Sequence, residues 1–193
     1  MAISVNSVRA AAQRAKSQSQ KSERVILSEA FATSNTSFNI FLSHSSRDRE
    51  IVIGTKQLIE EAGYTVYVDW IDDAELENTA VDRRRADHLR KRMRQCETMF
   101  YAHTPNAALS KWCPWELGYF DAMSHPDCQV YVLPIVNEGE NYKGQEYLSL
   151  YDVVDLQSYR HRPKKRREMD AFRRERLADT LGLRRNPFRG PIL

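Results

Sequence analysis

Short apolar runs alternate with longer amphipathic stretches along most of the chain after residue 37. Alternation of this kind is typical of an α/β domain, in which helices connect parallel strands. The pattern therefore predicts a five-stranded parallel sheet flanked by helices. The runs of strand length are FNIFLS (38–43), YTVYV (64–68), ETMFYAHT (97–104), QVYVLPIV (129–136) and YDVVDL (151–156).

The stretch between the first two runs has the periodicity of an amphipathic helix. Residues 48–62 place Ile51, Leu58 and Ile59 on one apolar face, and Gly63 follows as a candidate C-cap residue. The sequence therefore predicts a helix that covers one side of the sheet.

Two more helices are expected further along. Residues 81–94 are strongly charged, with a thin apolar stripe of Ala86, Leu89 and Met93. We expect this helix to pack at the edge of the domain, with its arginines in solvent. The third predicted helix spans residues 111–123.

The two ends of the chain differ from its centre. Residues 5–33 are rich in Ala, Ser, Gln, Arg and Lys and predict a polar helical arm of accessory character, and residues 165–181 predict a terminal helix. The predicted organisation is an N-terminal helical arm (1–37), a central domain (38–158) and a basic C-terminal helical extension (159–193).

Charge is distributed unevenly along the chain. Residues 161–193 carry 11 Lys+Arg and 4 Asp+Glu, whereas residues 1–160 carry 18 and 22, so a net charge of +3 hides a basic tail on a mildly acidic body. Such a tail could bind phosphate, nucleic acid or an acidic patch of a partner, or could be a solvated arginine-rich helix. Few aromatic residues accompany it, which makes nucleic acid an unlikely partner.

Several classes of protein are excluded by composition and motif. Hydrophobic residues make up 41% of the chain, enough for a core, but no run of about 18 apolar residues predicts a membrane span. Three cysteines without CxxC spacing predict neither a disulfide framework nor a metal site. The chain also lacks GxGxxG, GxxxxGK[ST], HExxH and GxSxG motifs. We expect a cytoplasmic protein with no metal.

Polar residues follow the first two predicted strands, where parallel sheets bind ligands. His44, Ser45 and Asp48 come after the first strand and suit a phosphate or ribose, although Ser46 or Asp48 could instead cap the next helix. The segment from Asp69 to Asp73 after the second strand is acidic, lacks helical periodicity and contains a tryptophan. It predicts a long flexible loop whose exposed Trp70 contacts a ligand or another chain.

The segment SKWCPWEL (110–117) combines helix-start signals with candidate chemistry. Ser110 is a plausible N-cap, Pro114 fits the first turn, and Trp112 and Glu116 share a face because they are four residues apart. We expect the helix dipole to keep Glu116 ionised and the indole to stack on a flat ring. A solvated glutamate and a core tryptophan are the alternative interpretation.

Taken in order and spacing, FNIFLSHSSRD, GYTVYVDWIDD, LSKWCPWELGYF and VYVLPIV resemble the TIR (Toll/interleukin-1 receptor) domain, especially its bacterial and plant forms. The resemblance covers residues 38–158. It implies a flavodoxin-like fold with a five-stranded parallel sheet. Many members of the family cleave NAD+ at the nicotinamide–ribose bond. The resemblance therefore also implies this activity, with NAD+ as substrate and no cofactor.

The resemblance assigns roles to residues by position. Glu116 falls on the catalytic glutamate of the family, and Trp112 on the aromatic residue of its WxxxE motif. The loop at residues 69–79 falls on the segment used for assembly and active-site opening. The remaining implied substrate-binding residues are Ser43, His44, Ser45, Asp48, Asp69 and Trp70. Residues 82–94 are more basic than the family pattern.

The implied function is an NAD+ glycohydrolase or cyclase that makes an ADP-ribose-derived signal in antiphage innate immunity. The architecture is similar to the signal-producing component of Thoeris-type antiphage systems. It implies self-association through residues 69–79 and a separately encoded effector or sensor. Two alternatives stay open: a non-catalytic TIR module that assembles signalling complexes, and a thiol enzyme that uses Cys113 with His44 or His103.

Overall fold

The computed structural model describes residues 2–19, 37–73, 83–125 and 129–160, which lie within one compact unit. Several sequence predictions concern the rest of the chain. These are the second half of the helical arm, the greater part of the loop at 69–79, and the basic extension after residue 160.

Thirteen elements are described. In chain order they are β1 (Ile3–Ser4), α1 (Val5–Ser19), β2 (Phe38–Ser43), α2 (Arg49–Glu61), β3 (Val66–Tyr67), α3 (Asp69–Asp72), α4 (Arg83–Met93), β4 (Cys96–His103), α5 (Pro105–Ala108), α6 (Trp112–Ser124), β5 (Val130–Val136), a 3₁₀ helix (Glu146–Leu150) and β6 (Asp152–Val153).

The strands form one parallel sheet in the order β1-β5-β4-β2-β3, with β6 also paired to β5. The five predicted strands and their parallel arrangement are confirmed. The strand β1 was not predicted, because two residues are too short to produce an alternating pattern. It pairs with the carboxyl end of β5, whereas β6 pairs nearer the amino end.

Both faces of the sheet are buried, as is usual for parallel sheets. Successive residues of β4 alternate between two apolar clusters, with Met99 and Tyr101 in one and Phe100 and Ala102 in the other. The first cluster includes side chains of α4 and α6, and the second includes side chains of α1 and α2. The central strands can therefore be apolar on both sides, which explains their continuous apolar runs.

The helix α1 packs on α2 and contributes to the core. Its residues Val8, Ala11 and Ala12 are fully buried. The contact is close at Gly54 of α2, where an added Cβ would collide with the backbone carbonyl of Val8. The described half of the expected accessory arm is thus part of the packed unit.

The sequence predictions for the other helices need two corrections. Asp69–Asp72 forms a short helix, α3, instead of an extended flexible loop, and Trp70 within it is half-buried. On α4, Arg92 is buried instead of solvated. The C-cap residue of α2 is Ala62, and Gly63, which the sequence predicts as the C-cap, follows it with a φ of 91°.

Arg92 belongs to a buried polar cluster that joins α4 to the end of α3. Its guanidinium donates two hydrogen bonds to Asp73, at 2.5 and 2.7 Å, and the Tyr67 hydroxyl donates a third at 2.7 Å. His88 also contacts this carboxylate. Burial would raise the pKa of Asp73, but the hydrogen bonds from Arg92, Tyr67 and His88 outweigh it and lower the pKa.

Within the described part of the chain, no helix is long and apolar enough to cross a membrane.

The close approach of α1 and α2 gives a stability prediction. Gly54→Ala should destabilise the fold by roughly 1–3 kcal/mol, because a methyl group at this position overpacks the contact with α1. Gly118→Ala on α6 is the matched control, since an added Cβ there meets no atom within 4 Å. It should leave stability unchanged or increase it by about 0.5–1 kcal/mol. Urea unfolding of both variants measures the difference, and equal effects would contradict the proposed packing.

Candidate active site

The candidate site lies at the carboxyl ends of the strands. Ser43 is the last residue of β2, Asp69 follows β3, and Glu116 lies in the second turn of α6, after β4. A parallel sheet brings these segments together, although they are far apart in the sequence.

The N-cap residue of α6 is Lys111, one residue after the predicted Ser110, and its side chain makes no capping hydrogen bond. The Ser110 hydroxyl accepts hydrogen bonds from the backbone N–H groups of Trp112 and Cys113, at 3.2 and 3.3 Å. Pro114 is in the first turn. These features begin the helix at a position that directs Glu116 toward the end of β2.

Glu116 is buried, with 7% of its surface exposed. The Ser43 hydroxyl donates a hydrogen bond of 2.7 Å to its Oε2 atom. Burial raises the pKa of Glu116 to about 8, and the charge of Asp69 adds to this effect, while Ser43 and Arg85 oppose it. The expectation that this carboxyl is kept ionised is therefore wrong, because burial raises its pKa above neutrality. The alternative of a solvated surface glutamate is also excluded.

His44 is held between the backbone and Trp70. The indole Nε1–H of Trp70 donates to His44 Nε2 at 2.9 Å, so this nitrogen is an acceptor and the proton is on Nδ1. Nδ1 then donates to the carbonyl oxygen of Leu42 at 2.8 Å. Both ring nitrogens of a neutral imidazole are used, and the ring is fixed beside the carboxylate of Asp69, 3.4 Å away.

Asp69 and Arg85 form an ion pair at the edge of the site. The distance between the guanidinium Nη2 and the carboxylate Oδ2 is 3.6 Å, and both side chains are less than one fifth exposed. Arg85 also lies over the ring of Trp112, with its Cζ atom 5.8 Å from the ring centroid. The expectation that the arginines of α4 are solvated is thus wrong for Arg85 as well.

Trp112 is half-buried against the core and makes an edge-to-face contact with Trp115, with ring centroids 5.2 Å apart. The alternative interpretation of a core tryptophan is therefore partly right. Its contact with Arg85 keeps the ring on the side of α6 that carries Glu116.

Asp48 and Ser45 organise the loop after β2. Asp48 does not cap α2 with its side chain; its carboxylate accepts hydrogen bonds of 2.5 Å from Thr104 and Asn106. Ser45 is buried, and its hydroxyl accepts a hydrogen bond from the backbone N–H of Arg47 at 3.3 Å. Asp48 thus joins the loops after β2 and β4.

Cys113 does not have the environment of a nucleophile. The side chain is fully buried, and burial raises the pKa of its thiol to about 12. Reactive cysteines are exposed and have lowered pKa values. The thiol-enzyme alternative therefore has no support in the structure.

The described residues contain no group of three or more His, Cys, Asp or Glu side chains arranged to hold a metal ion. They do bring together a carboxyl group with a pKa near neutrality, a hydroxyl that donates to it, an aromatic ring and a guanidinium. Such a set can stabilise a developing positive charge and take up a proton.

The site residues that sequence reasoning missed are Arg85, Thr104 and Asn106. Arg85 lies in a charged stretch in which periodicity does not distinguish one arginine from another. Thr104 and Asn106 directly follow an apolar run, and their position after a strand was the available signal.

A family model and a curated relative identify the family of this chain. A family model described as TIR domain matches residues 40–174. A curated protein of Bacillus cereus (strain MSX-D12), named probable 3' cyclic ADP-D-ribose synthase ThsB', is 43% identical over 133 residues, which are 67% of this chain and 67% of that protein. Among solved structures, the TIR domain of the Toll-related receptor TRR-2 from Hydra magnipapillata matches 74% of this chain and 98% of its own, with 14% identity and a TM-score of 0.44.

The raised pKa of Glu116 predicts that the difference in stability between wild type and Glu116→Gln depends on pH. A carboxyl whose pKa rises on folding contributes stability at pH values below its unfolded pKa, near 4.5, and this contribution is lost as pH rises toward 8. Glu116→Gln, whose amide oxygen can still accept from Ser43, should therefore gain melting temperature over wild type as pH increases from 5 to 9. Each pKa unit corresponds to about 1.4 kcal/mol.

Thermal unfolding at several pH values measures this gain. Glu138→Gln makes the same chemical change at an exposed position and should show no such trend. A difference between Glu116→Gln and wild type that stays constant from pH 5 to 9 would contradict the burial argument.

Proposed function

The chain belongs to the TIR domain family, as its motifs predicted, and on that premise we propose that it cleaves NAD+ at the bond between nicotinamide and ribose. The observation that carries this proposal is the buried Glu116 carboxyl, held by Ser43 at the carboxyl end of the sheet. Its position matches the catalytic glutamate that the motif resemblance implies.

The chemistry requires few groups. Nicotinamide in NAD+ is a cationic leaving group, so no strong acid is needed to expel it. The reaction instead needs stabilisation of an oxocarbenium-like ribose, as in glycoside hydrolysis. In its ionised form, which a pKa of about 8 makes the minor form at pH 7, Glu116 can supply this by facing the anomeric carbon, and Trp112 can hold a flat ring of the substrate in place.

We propose a cyclic ADP-ribose as the product. The support is the name of the curated relative, which describes a synthase of such a molecule. In cyclisation a hydroxyl of the same substrate molecule bonds to the anomeric carbon as the C–N bond to nicotinamide breaks. The hydroxyl proton passes to Glu116 and then to solvent, so NAD+ yields cyclic product, neutral nicotinamide and one proton. A carboxyl with a pKa of about 8 can hold this proton near neutral pH.

The remaining predicted substrate-binding residues are assigned to the walls of the site. His44 and Trp70 form a fixed wall through their mutual hydrogen bond. Ser45 and Asp48 fix the shape of the loop after β2, which is next to the substrate in this proposal. Asp69, which contacts His44 and Arg85, is assigned to the same wall.

The product would act as a signal in antiphage defence. A synthase of a nucleotide signal needs a separate protein that binds its product, so we propose a separately encoded effector as partner. We also keep the sequence prediction that copies of the chain self-associate through residues 69–79.

Turnover of NAD+ tests the proposal. Purified wild type, Glu116→Gln and the exposed-site control Glu138→Gln are incubated with NAD+ at high protein concentration. Nicotinamide and all adenine-containing products are then followed by chromatography with mass detection. Wild type and Glu138→Gln should release nicotinamide at equal rates, and Glu116→Gln should be slower by at least about a hundredfold, because it cannot stabilise a positive charge or accept a proton.

The mass of the adenine product distinguishes the reactions. A cyclic product has the mass of ADP-ribose less one water, and a hydrolysis product has the mass of ADP-ribose. No nicotinamide from wild type, even after addition of lysate from phage-infected cells, would favour a non-catalytic interaction module.

A further inference from the structure

The side chain of Arg85 extends from α4 toward a site whose other residues belong to β2, α3 and α6. It forms the ion pair with Asp69 and lies over Trp112. No motif identifies it, and the family resemblance assigns it no role. Its position next to two carboxyl groups suggests that its charge matters for the site.

Asp69 and Glu116 present an electrostatic conflict. The charge of Asp69 disfavours a second negative charge on the buried Glu116, and the charge of Arg85 favours it. Two other titratable groups face Glu116, Tyr101 from β4 and Cys113 from α6. Burial raises the pKa of both well above neutrality, so neither contributes charge at pH 7.

His44 is also close to Asp69, but it does not supply a positive charge in this arrangement. Its Nε2 atom accepts the indole N–H of Trp70, so the ring is neutral. The guanidinium of Arg85 is the permanent cation that forms an ion pair with Asp69, while a second guanidinium, that of Arg49 on α2, lies over the ring of Trp70 with its Cζ atom 4.3 Å from the centroid.

The orientation of Arg85 is fixed by the rest of α4. The buried hydrogen bonds between Arg92 and Asp73 anchor the end of the helix. In between, Arg90 lies over the rings of Trp115 and Tyr119, with distances of 5.2 and 5.8 Å to their centroids. The helix is thus held at its end by Asp73, which follows α3, and in its middle by rings of α6, and Arg85 extends from a fixed position.

We propose that Arg85 is a positioning residue that compensates the charge of Asp69, so that Glu116 can carry a negative charge in the site. For the catalytic consequence the proposal rests on the proposed function. The electrostatic part concerns the protein alone and can be measured without substrate.

The first test follows the titration of Glu116 by carbon-13 NMR of the glutamate carboxyl groups, with Glu116→Gln used to assign the signal. Arg85→Gln should raise the pKa of Glu116 by about one unit, and Asp69→Asn should lower it by a similar amount. The double variant Asp69→Asn/Arg85→Gln should return close to wild type, because both charges are removed. Arg85→Lys should also remain close to wild type.

Arg90→Gln is the matched control. It removes an arginine of the same helix that also contacts an aromatic ring but pairs with Asp87 instead of Asp69. A loss of packing between α4 and α6 would change the titration of Glu116 in both Arg85→Gln and Arg90→Gln, whereas a loss of charge compensation would change it in Arg85→Gln alone.

The second test is the pH profile of NAD+ cleavage. The acidic limb of the kcat/KM profile should shift upward by about one pH unit in Arg85→Gln. On that limb the kcat/KM of the variant should be about tenfold lower than that of wild type, and at higher pH the two should be equal. The double variant should regain the wild-type limb. Equal losses at all pH values, without recovery in the double variant, would indicate a structural role and overturn the proposal.

The two tests separate this proposal from the proposed function. If the titration of Glu116 responds as expected but wild type does not cleave NAD+, charge compensation is confirmed and the enzymatic function fails. If wild type cleaves NAD+ but neither Arg85→Gln nor Asp69→Asn moves the Glu116 titration, the role of Arg85 is overturned while the enzyme remains.

Discussion

The burial of one carboxyl group imposes the main constraint on this site. An isolated ionised carboxyl is costly to remove from water, and proteins meet that cost by protonation, hydrogen bonding or a nearby cation. All three are visible around Glu116: a pKa raised to about 8, a hydrogen bond from Ser43 and the charge of Arg85. These groups come from three different elements, so the state of the carboxyl depends on how β2, α4 and α6 pack together.

The parallel sheet makes this convergence possible. Its two apolar faces fix the helices, and its strands all end at the same edge, so loops distant in sequence become neighbours. The link between Asp48 and Thr104 joins residues 56 positions apart. The helix α4 contributes Leu89 and Met93 to the core, and buried Asp73 and aromatic rings of α6 also hold its arginines. The charged residues of the site are therefore held in two ways. Apolar packing fixes the helices on the sheet, and contacts of arginine side chains help to fix α4.

The fold was predictable because its signals are local. Apolar runs located the five strands, and the spacing of Ser110, Pro114 and Glu116 located the start of α6. The errors arose where a side chain has a distant partner. Asp48 has the composition of a helix cap but binds Thr104 and Asn106, and Arg85 and Arg92 lie in a stretch whose charge suggested solvent. No local pattern encodes a contact with Asp69 or Asp73. For the same reason the raised pKa of Glu116, which depends on burial by other elements, could not be derived from its helix position.

The short strand β1 has a consequence for how copies of the chain can associate. It occupies the outer edge of β5 opposite Ile135 and Val136, while β6 occupies the same edge opposite Tyr131 and Val132. The opposite edge of the sheet is β3, with two residues. Exposed long edge strands allow sheets to continue from one molecule into the next, and short ones prevent it. In the described part of the chain, the strands at both borders of this sheet have two residues each and offer little edge for strand addition, so side chains of helices and loops are the larger surface on which copies could associate.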